Sequence, residues 1–174
     1  MDEVSRDALA ARDGDQAAAA RFVRATQADV WRMVAHLGGR DVADDLTQET
    51  YLRAFRALPR FAGRASARTW LLAIARRACA DHVRTAIRDR RVLDPGEPIG
   101  SVGDISDGVA LRALLAALDP ERREAFVLTQ IVGLSYDEAA VVCGCPIGTI
   151  RSRVARARGD LVRGLGEEPR AGWA

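Results

Sequence analysis

Arginines near the carboxyl end of the chain have the chemistry needed to bind a nucleic acid. In the segment 147–162, apolar residues recur at helical spacing and leave the arginines on the other side of the same helix. Guanidinium groups pair bidentately with guanine edges and with phosphates, and small neighbours permit close approach to a base. The free face is predicted to carry Gly148, Thr149, Ser152, Ala155 and Arg156, flanked by Arg151 and Arg153. This pattern predicts a surface that reads DNA.

A helix-turn-helix is the element expected to position these arginines. Ser135 and Glu138 have the spacing of a capping box, in which each side chain satisfies a backbone donor at a helix start. Gly144 and Pro146 then end that first helix, because glycine favours a left-handed turn and proline lacks a backbone donor. The second helix would bury one apolar stripe, made of Ile147, Ile150, Val154, Ala157 and Leu161. An ordinary helical hairpin with a solvated basic face would show the same pattern.

Charge is distributed unevenly along the 174 residues, although the net charge is only +2. Residues 64–91 contain eight arginines against two aspartates, whereas residues 41–49 contain four acidic residues and no basic one. Such blocks of opposite sign indicate at least two kinds of partner surface. A hydrophobic content of 48% with only 5% aromatic residues is typical of helix-rich packing.

The amino-terminal half has the periodicity of three helices. The first helical region runs from Ser5 to Leu37, with a break at residues 13–15. Asp41 is predicted to cap a second helix that ends near Leu58, and a third is predicted over residues 67–90. The second helix is predicted to bury Val42, Leu46, Leu52, Phe55 and Leu58, and the third Trp70, Leu71, Ile74, Ala78, Val83 and Ile87. A basic connection, residues 60–68, joins these two helices.

A stretch rich in Gly, Pro, Asp and Ser separates this half from the carboxyl-terminal one. We predict an all-α chain of two small helical domains, 1–91 and 109–165, with a flexible linker over 92–108 and a flexible tail over 166–174. Asp119 and Pro120 place a cap and a first-turn proline before a helix predicted over residues 121–132. No apolar run reaches the roughly 18 residues that would span a bilayer. We therefore expect a cytoplasmic protein with reduced cysteines.

Three segments of the sequence resemble the extracytoplasmic-function, or group four, sigma factors of bacterial RNA polymerase. They are DVADDLTQETYLRAF at 41–55, RTWLLAIARRACADHVR at 68–84 and LSYDEAAVVCGCPIGTIRSRVARAR at 134–158. They cover both predicted domains and occur in the family's order, separated by a linker. The resemblance implies that residues 1–91 form region 2 and residues 109–165 form region 4. It also implies promoter-specific transcription initiation without a catalytic residue or a cofactor.

The resemblance assigns a role to each cluster of polar residues. The helix that docks on the clamp coiled coil of core polymerase would present Asp44, Asp45, Gln48 and Glu49. The loop and helix that melt and read the −10 promoter element would present Phe61, Arg64, Ser66, Arg68, Arg76, Arg77 and Arg84. The reader of the −35 element would use Thr149, Arg151, Ser152, Arg153, Arg156 and Arg158. The linker carboxylates Asp94, Glu97, Asp104 and Asp107 could mimic nucleic-acid charge.

The resemblance also implies partners: core polymerase through its clamp coiled coil and flap, and promoter DNA as duplex and as melted single strand. Whether an anti-sigma factor is a further partner is left open by the sequence. Ala65 and Ala67 make the base-capture loop plainer than the family's pattern, which puts its specificity pocket in doubt. The segment beyond Gly164 is too short for an added sensory domain, so regulation is expected to come from elsewhere.

Two other functions remain open from the residues alone. A stand-alone regulator that binds an operator as a dimer would contain a similar helix-turn-helix. A metal-sensing or enzymatic site could use Cys143 and Cys145 with Cys79, His36 and His82, although zinc sites usually show paired ligand clusters.

Overall fold

The computed structural model of the chain describes residues 1–93 and 107–166, and every regular element within these ranges is helical. The prediction of an all-α, two-domain fold is confirmed. Residues 167–174 of the predicted tail and most of the predicted linker, including Asp94, Glu97 and Asp104, lie outside the described residues. The helices are α1 (Glu3–Arg12), α2 (Gln16–Leu37), α3 (Ala43–Ala57), α4 (Ala67–Leu93), α5 (Asp107–Ala117), α6 (Pro120–Phe126), α7 (Tyr136–Cys143) and α8 (Ile147–Gly166).

Local capping sets the first two helices. The side chain of Asp2 accepts a hydrogen bond from the Ser5 amide at 2.8 Å, and that of Asp15 accepts from the Ala18 amide at 3.0 Å. Between the two helices Gly14 has a φ of 102°, a value that favours glycine. The predicted break at residues 13–15 is therefore confirmed.

Helix α3 differs from its prediction at its start. The N-cap is Val42 and not Asp41, and no side chain bonds to the first turn. The Ala43 amide instead reaches the Arg40 carbonyl at 3.4 Å, so the chain enters the helix through a backbone turn.

Helix α3 also buries a different face from the predicted one. Leu52 is 55% exposed and Phe55 is 40% exposed, so their assignment to the core is wrong. The buried stripe is Ala43, Leu46, Thr50 and Ala54. Small residues on this stripe let α3 lie close to α2 and α4, and larger apolar residues are left on the outer face.

Ser66 positions α4, the longest helix, through its hydroxyl, which accepts a hydrogen bond from the Thr69 amide at 3.1 Å. The Ala67 amide donates to the Ser5 hydroxyl at 2.9 Å, which ties this start to α1. Ile87 is 44% exposed, contrary to the prediction that it is buried. All residues from 84 to 89 are exposed, so this part of α4 extends past the described helices that pack on its first turns.

The carboxyl-terminal half begins its helix-turn-helix after an irregular turn. Asp119 caps α6, as predicted, by accepting from the Glu121 amide at 3.0 Å. The helix predicted over residues 121–132 is not regular throughout. It ends as an α-helix at Phe126 and continues as a π-type turn over Val127–Ile131, closed by a bond from the Val132 amide to the Val127 carbonyl at 2.9 Å.

Replacement of the cap residue, Ser135→Ala, should lower the free energy of unfolding by about 1 kcal/mol, because the bond from the Glu138 amide to the Ser135 hydroxyl is lost. The Ser135 hydroxyl accepts from the Glu138 amide at 3.2 Å, and the Ser135 amide donates to the Glu138 carboxylate at 2.9 Å. Urea unfolding followed by circular dichroism measures the loss. The matched control is Ser152→Ala, on an exposed helical surface where alanine is well tolerated. Equal stability of the two variants would contradict the capping role.

The two halves pack on each other through one continuous hydrophobic cluster. It includes Phe22, Met33, Leu46 and Leu71 from the first four helices and Leu128, Val142, Ile150 and Val154 from the carboxyl-terminal half. The main meeting point is α4 against α7, with α2 against the π-type turn. A second, smaller cluster of Leu115, Leu118, Ala157 and Leu161 joins α5 to α8. The amino-terminal and carboxyl-terminal halves therefore share a core in the described structure.

Candidate nucleic-acid interface

The helix-turn-helix forms as its local sequence signals predict. Gly144 ends α7 in the left-handed region with a φ of 66°, and the Cys145 amide bonds back to the Ala140 carbonyl at 3.1 Å. In α8 the stripe residues Ile150, Val154, Ala157 and Leu161 are buried, while Ile147 is partly buried. This stripe fixes the rotation of α8, so its opposite side faces outward.

The outward side of α8 contains most of the predicted DNA readers. Arg151, Ser152 and Arg156 are exposed, and Thr149 is partly buried. A Cβ added at Gly148 would meet no heavy atom within 4 Å, so the start of the helix is open to an approaching backbone or base. Arginine side chains on such an open helical face can reach base edges in a major groove.

Two of the predicted DNA readers in α8 form contacts with other side chains of the protein. Arg153 forms an ion pair with Glu121, its side chain is only 18% exposed, and it contacts the sulfur of Cys145 at 3.7 Å. Arg158 donates to the Gln130 side chain at 2.8 Å. The structure thus distinguishes Arg153 and Arg158, which brace α8 against residues 121 and 130, from the predicted readers that project outward.

The residues predicted to contact the −10 element occupy unlike environments. Arg64 and Arg77 are exposed, and Arg84 is 73% exposed beside Asp81, with which it forms an ion pair. Phe61 is only 4% exposed and its ring lies 4.9 Å from that of Trp70, centroid to centroid. Phe61 therefore supports the loop from the core and does not offer a surface for a base to stack on. The Ser66 hydroxyl is engaged as the cap of α4.

Two of these arginines instead contact other parts of the protein. Arg68 donates to Asp29 at 2.6 Å and to the Val132 carbonyl at 2.8 Å. Arg76 pairs with Glu124 of α6 at 2.5 Å. Because Val132 and Glu124 belong to the carboxyl-terminal half, both guanidinium groups lie at the boundary between the halves.

The acidic residues predicted to dock on polymerase are at the surface of α3. Asp44, Asp45 and Gln48 are exposed, and Asp44 accepts a hydrogen bond from the indole of Trp31 at 2.8 Å. Glu49 accepts from Arg53 at 2.7 Å, and Arg53 also donates to Asp81 of α4 at 2.6 Å. The hydrogen bond from Arg53 holds the pKa of Asp81 below its usual value. The predicted docking surface is thus anionic and is braced against α4.

Sequence reasoning missed the apolar part of this surface. Leu52 and Phe55 follow Gln48 at steps of four and three residues, which places all three on one helical side. The missed signal is the competing stripe at 43, 46, 50 and 54, in which every residue except Leu46 is small. The exposed face of α3 therefore combines carboxylates, an amide and two large apolar side chains, a mixture suited to a protein partner.

The cysteines give no support to the metal or enzymatic alternative. Burial raises the pKa of Cys79 to about 12, and burial with the nearby Glu124 carboxylate raises that of Cys143 to about 12. Both are therefore thiols at neutral pH, and the Cys143 thiol lies 3.7 Å from Glu124. Among residues 1–93 and 107–166, three or more potential metal ligands do not gather at any point.

Comparison with known proteins follows the same division of the chain. Residues 22–89 match the Sigma-70 region 2 family and residues 108–161 match the Sigma-70, region 4 family. The ECF RNA polymerase sigma factor SigC of Mycobacterium tuberculosis is 52% identical over 161 residues, covering 89% of this chain and 87% of that protein.

Solved sigma-factor structures share the fold. CnrH in complex with the cytosolic domain of CnrY superposes with a TM-score of 0.77 at 28% identity, covering 96% of this chain and 99% of that one. The sigma factor RpoE in complex with the anti-sigma factor NepR, from Bartonella quintana, gives 0.75 at 30% identity, covering 85% and 96%.

Fold and family matches together define a DNA-binding transcription factor with a helix-turn-helix in its carboxyl-terminal half. More specifically, the chain belongs to the extracytoplasmic-function sigma factors of RNA polymerase. A stand-alone dimeric regulator is not favoured, because the amino-terminal half also matches a sigma-factor region. Among the described helices, none is both long and apolar enough to cross a membrane.

Proposed function

We propose that this sigma factor directs promoter-specific initiation through three surfaces on separate helices. The exposed face of α3 binds the clamp coiled coil of core polymerase. The loop 60–69 and α4 melt and read the −10 element, and the exposed side of α8 reads the −35 element. The chain acts by binding in the cytoplasm and contributes no catalytic residue.

The observation that carries this proposal is the separation of the surfaces. Carboxylates and apolar side chains are exposed on α3, whereas arginines are exposed on α4 and α8. A protein partner and DNA can therefore be bound at the same time, as promoter-specific initiation requires. The polymerase contact would also involve the flap. Val162 and Leu165 of α8 are 69% and 63% exposed, and Leu111 of α5 is 46% exposed, which gives that end an apolar surface for it.

Arg64 and Arg77 are the foremost candidates for single-strand capture, since both are exposed in the described structure. Opening a duplex requires that unstacked bases gain compensating contacts, and a basic loop beside a basic helix can provide them along the phosphate backbone. Arg68, Arg76 and Arg84 join this set when their carboxylate partners release them.

An anti-sigma protein is a further proposed partner. The support is the similarity to RpoE, whose structure was solved with the anti-sigma factor NepR. Such a protein would compete with polymerase for at least one of the three surfaces.

A reconstituted run-off transcription assay tests the function. Core polymerase with this chain should yield discrete transcripts from a subset of a genomic promoter library, while core polymerase alone should yield none of them. An unaltered transcript profile, with no association between chain and polymerase, would refute the proposal.

A further inference from the structure

Helix α1 lies before the residues that match Sigma-70 region 2, and it packs beside the loop 60–69. The guanidinium of Arg12, the last residue of α1, donates to the Phe61 carbonyl at 3.1 Å. Near the start of α1, the Ser5 hydroxyl accepts a hydrogen bond from the Ala67 amide at 2.9 Å. Helix α1 therefore bonds to the backbone of the loop near both of its ends.

The two side chains that make these bonds are oriented by neighbouring carboxylates. The Ser5 hydroxyl donates its own proton to Asp2 at 2.8 Å, which leaves its oxygen to accept from the amide at the start of α4. Arg12 donates to the two oxygens of Asp13, from Nε at 2.8 Å and from one terminal nitrogen at 3.2 Å. The other terminal nitrogen is the donor to the loop carbonyl. Each bond to the loop is therefore made in a fixed direction.

Helix α1 is in turn fixed to the rest of the amino-terminal half. Asp7, whose side chain is only 12% exposed, forms an ion pair with Arg21 of α2 at 2.8 Å. Ala8 of α1 and Ala18 of α2 are both completely buried, so the two helices approach each other closely. The loop is therefore bonded to a rigid support.

The accessible part of the loop lies between the two bonded points. Residues 62–64 are exposed and residues 65 and 66 are partly buried. Gly63 has a φ of 65°, and a Cβ added there would lie 4.0 Å from Leu9 of α1, so the loop turns directly over this helix. A segment held at both ends has fewer conformations to lose when it binds a ligand.

We propose that Ser5 and Arg12 are positioning residues for base capture at the −10 element. By holding both ends of the loop, they keep residues 62–66 in a shape that receives an unstacked base. The inference rests on the proposed function, which assigns this loop to the −10 element. A loop that is already shaped loses little entropy when a base enters it, so more of the contact energy offsets the cost of unpairing. Neither residue contacts DNA in this role, and neither takes part in polymerase docking.

The test measures promoter opening by holoenzyme, formed from core polymerase and the full chain, on a promoter recovered in the run-off assay. Permanganate reactivity of thymines reports unpairing of the duplex. Arg12→Ala and Ser5→Ala should each lower the equilibrium constant for opening by roughly three- to tenfold, the effect of one lost hydrogen bond. Run-off yield from the same promoter with a mismatched, pre-melted −10 region should fall by less than about twofold, because those bases are already unpaired.

The ratio of the yields from duplex and pre-melted promoter distinguishes positioning from stability, since fewer folded chains would lower both yields equally. Arg122→Ala is the matched control: Arg122 also pairs with an aspartate, its side chain is 35% exposed against 32% for Arg12, and it contacts another part of the chain. It should leave the ratio unchanged. Arg12→Lys keeps a donor for the Phe61 carbonyl and should recover part of the lost opening. The Arg12 variants remain decisive if Ser5→Ala, at a buried position, unfolds the chain.

The outcomes separate this inference from the proposed function. Arg64→Ala removes the exposed arginine of the loop itself. If this variant lowers opening while Arg12→Ala and Ser5→Ala do not, positioning by α1 is refuted and the assignment of the loop stands. If the α1 variants lower duplex and pre-melted yields equally, their role is stability alone and positioning is refuted as well. If none of the three variants changes opening, the assignment of the loop to the −10 element fails too.

Discussion

Reversing two charges on α3, Asp45→Arg with Glu49→Arg, should weaken binding to core polymerase by about a hundredfold, because like charges facing each other across an interface cost several kcal/mol. Both residues lie on the helix surface, outside the buried stripe of α3. The fold should therefore persist while docking fails. Sedimentation or fluorescence anisotropy with labelled core polymerase measures the affinity at fixed ionic strength, since exposed charges are screened by salt.

The matched control is Glu3→Arg with Asp13→Arg, which makes the same change in net charge on exposed positions around α1. If electrostatics at α3 are specific, the control should bind polymerase nearly as well as the unaltered chain. Equal losses in the two double variants would point to overall charge and would contradict the docking assignment. Circular dichroism should show the same helix content in all three proteins.

The variant Arg156→Ala should lose about 1–3 kcal/mol of promoter binding, roughly 5- to 150-fold, if Arg156 reads a base edge. Arg156 is exposed on the side of α8 opposite the buried Val154 and Ala157. The loss should concentrate at one base pair of the −35 element, because a bidentate contact discriminates one base from the others. Binding assays over a set of single-base substitutions in the element measure this directly.

Arg163→Ala is the control on the same helix, since Arg163 is exposed near its other end and pairs with Asp160. It should alter affinity little and evenly across the base substitutions. A uniform loss for Arg156→Ala would identify a phosphate contact instead of a base contact. No loss at all would remove Arg156 from the interface.

The helix-turn-helix was predictable because its signals are local. A capping box at Ser135, a left-handed glycine at position 144 and an apolar stripe along α8 each depend on residues no more than about four positions apart, the range of helix capping and helical spacing. The break at residues 13–15 and the cap at Asp119 were predictable for the same reason. In each case either one side chain accepts a hydrogen bond from a particular backbone amide or one glycine permits a particular turn.

The orientation of α3 was not predicted because large apolar residues were given more weight than small ones. Leu52 and Phe55 look like core residues when hydrophobicity alone is considered, yet Ala43 and Ala54 form the buried side. Close packing of helices favours small residues where the backbones approach each other. A pair of large apolar residues left exposed is typical of a surface that binds a partner. Sequence alone does not say which of two apolar sides faces inward.

Contacts between the halves could not be derived from periodicity at all. Arg68 and Val132 are 64 positions apart, and Arg76 and Glu124 are 48 positions apart. Such pairs depend on the tertiary arrangement. The arginine pattern of α4 is equally consistent with a solvent-exposed face and with a face that packs against carboxylates. The assignment of Arg68 and Arg76 to DNA remains a prediction, and their observed partners show what DNA would have to displace.

A chain of ion pairs links the proposed polymerase-binding and −10-binding surfaces of the amino-terminal half: Glu49, Arg53, Asp81 and Arg84. Arg53 shares its donors between Glu49 and Asp81, and Asp81 shares its oxygens between Arg53 and Arg84. Any cation that draws Glu49 away leaves Arg53 to Asp81 alone, and Asp81 then holds Arg84 less firmly. A substitution at Glu49 is therefore expected to change the electrostatic environment of Arg84, and the reverse is expected as well. Mutational maps of the two surfaces should be interpreted jointly.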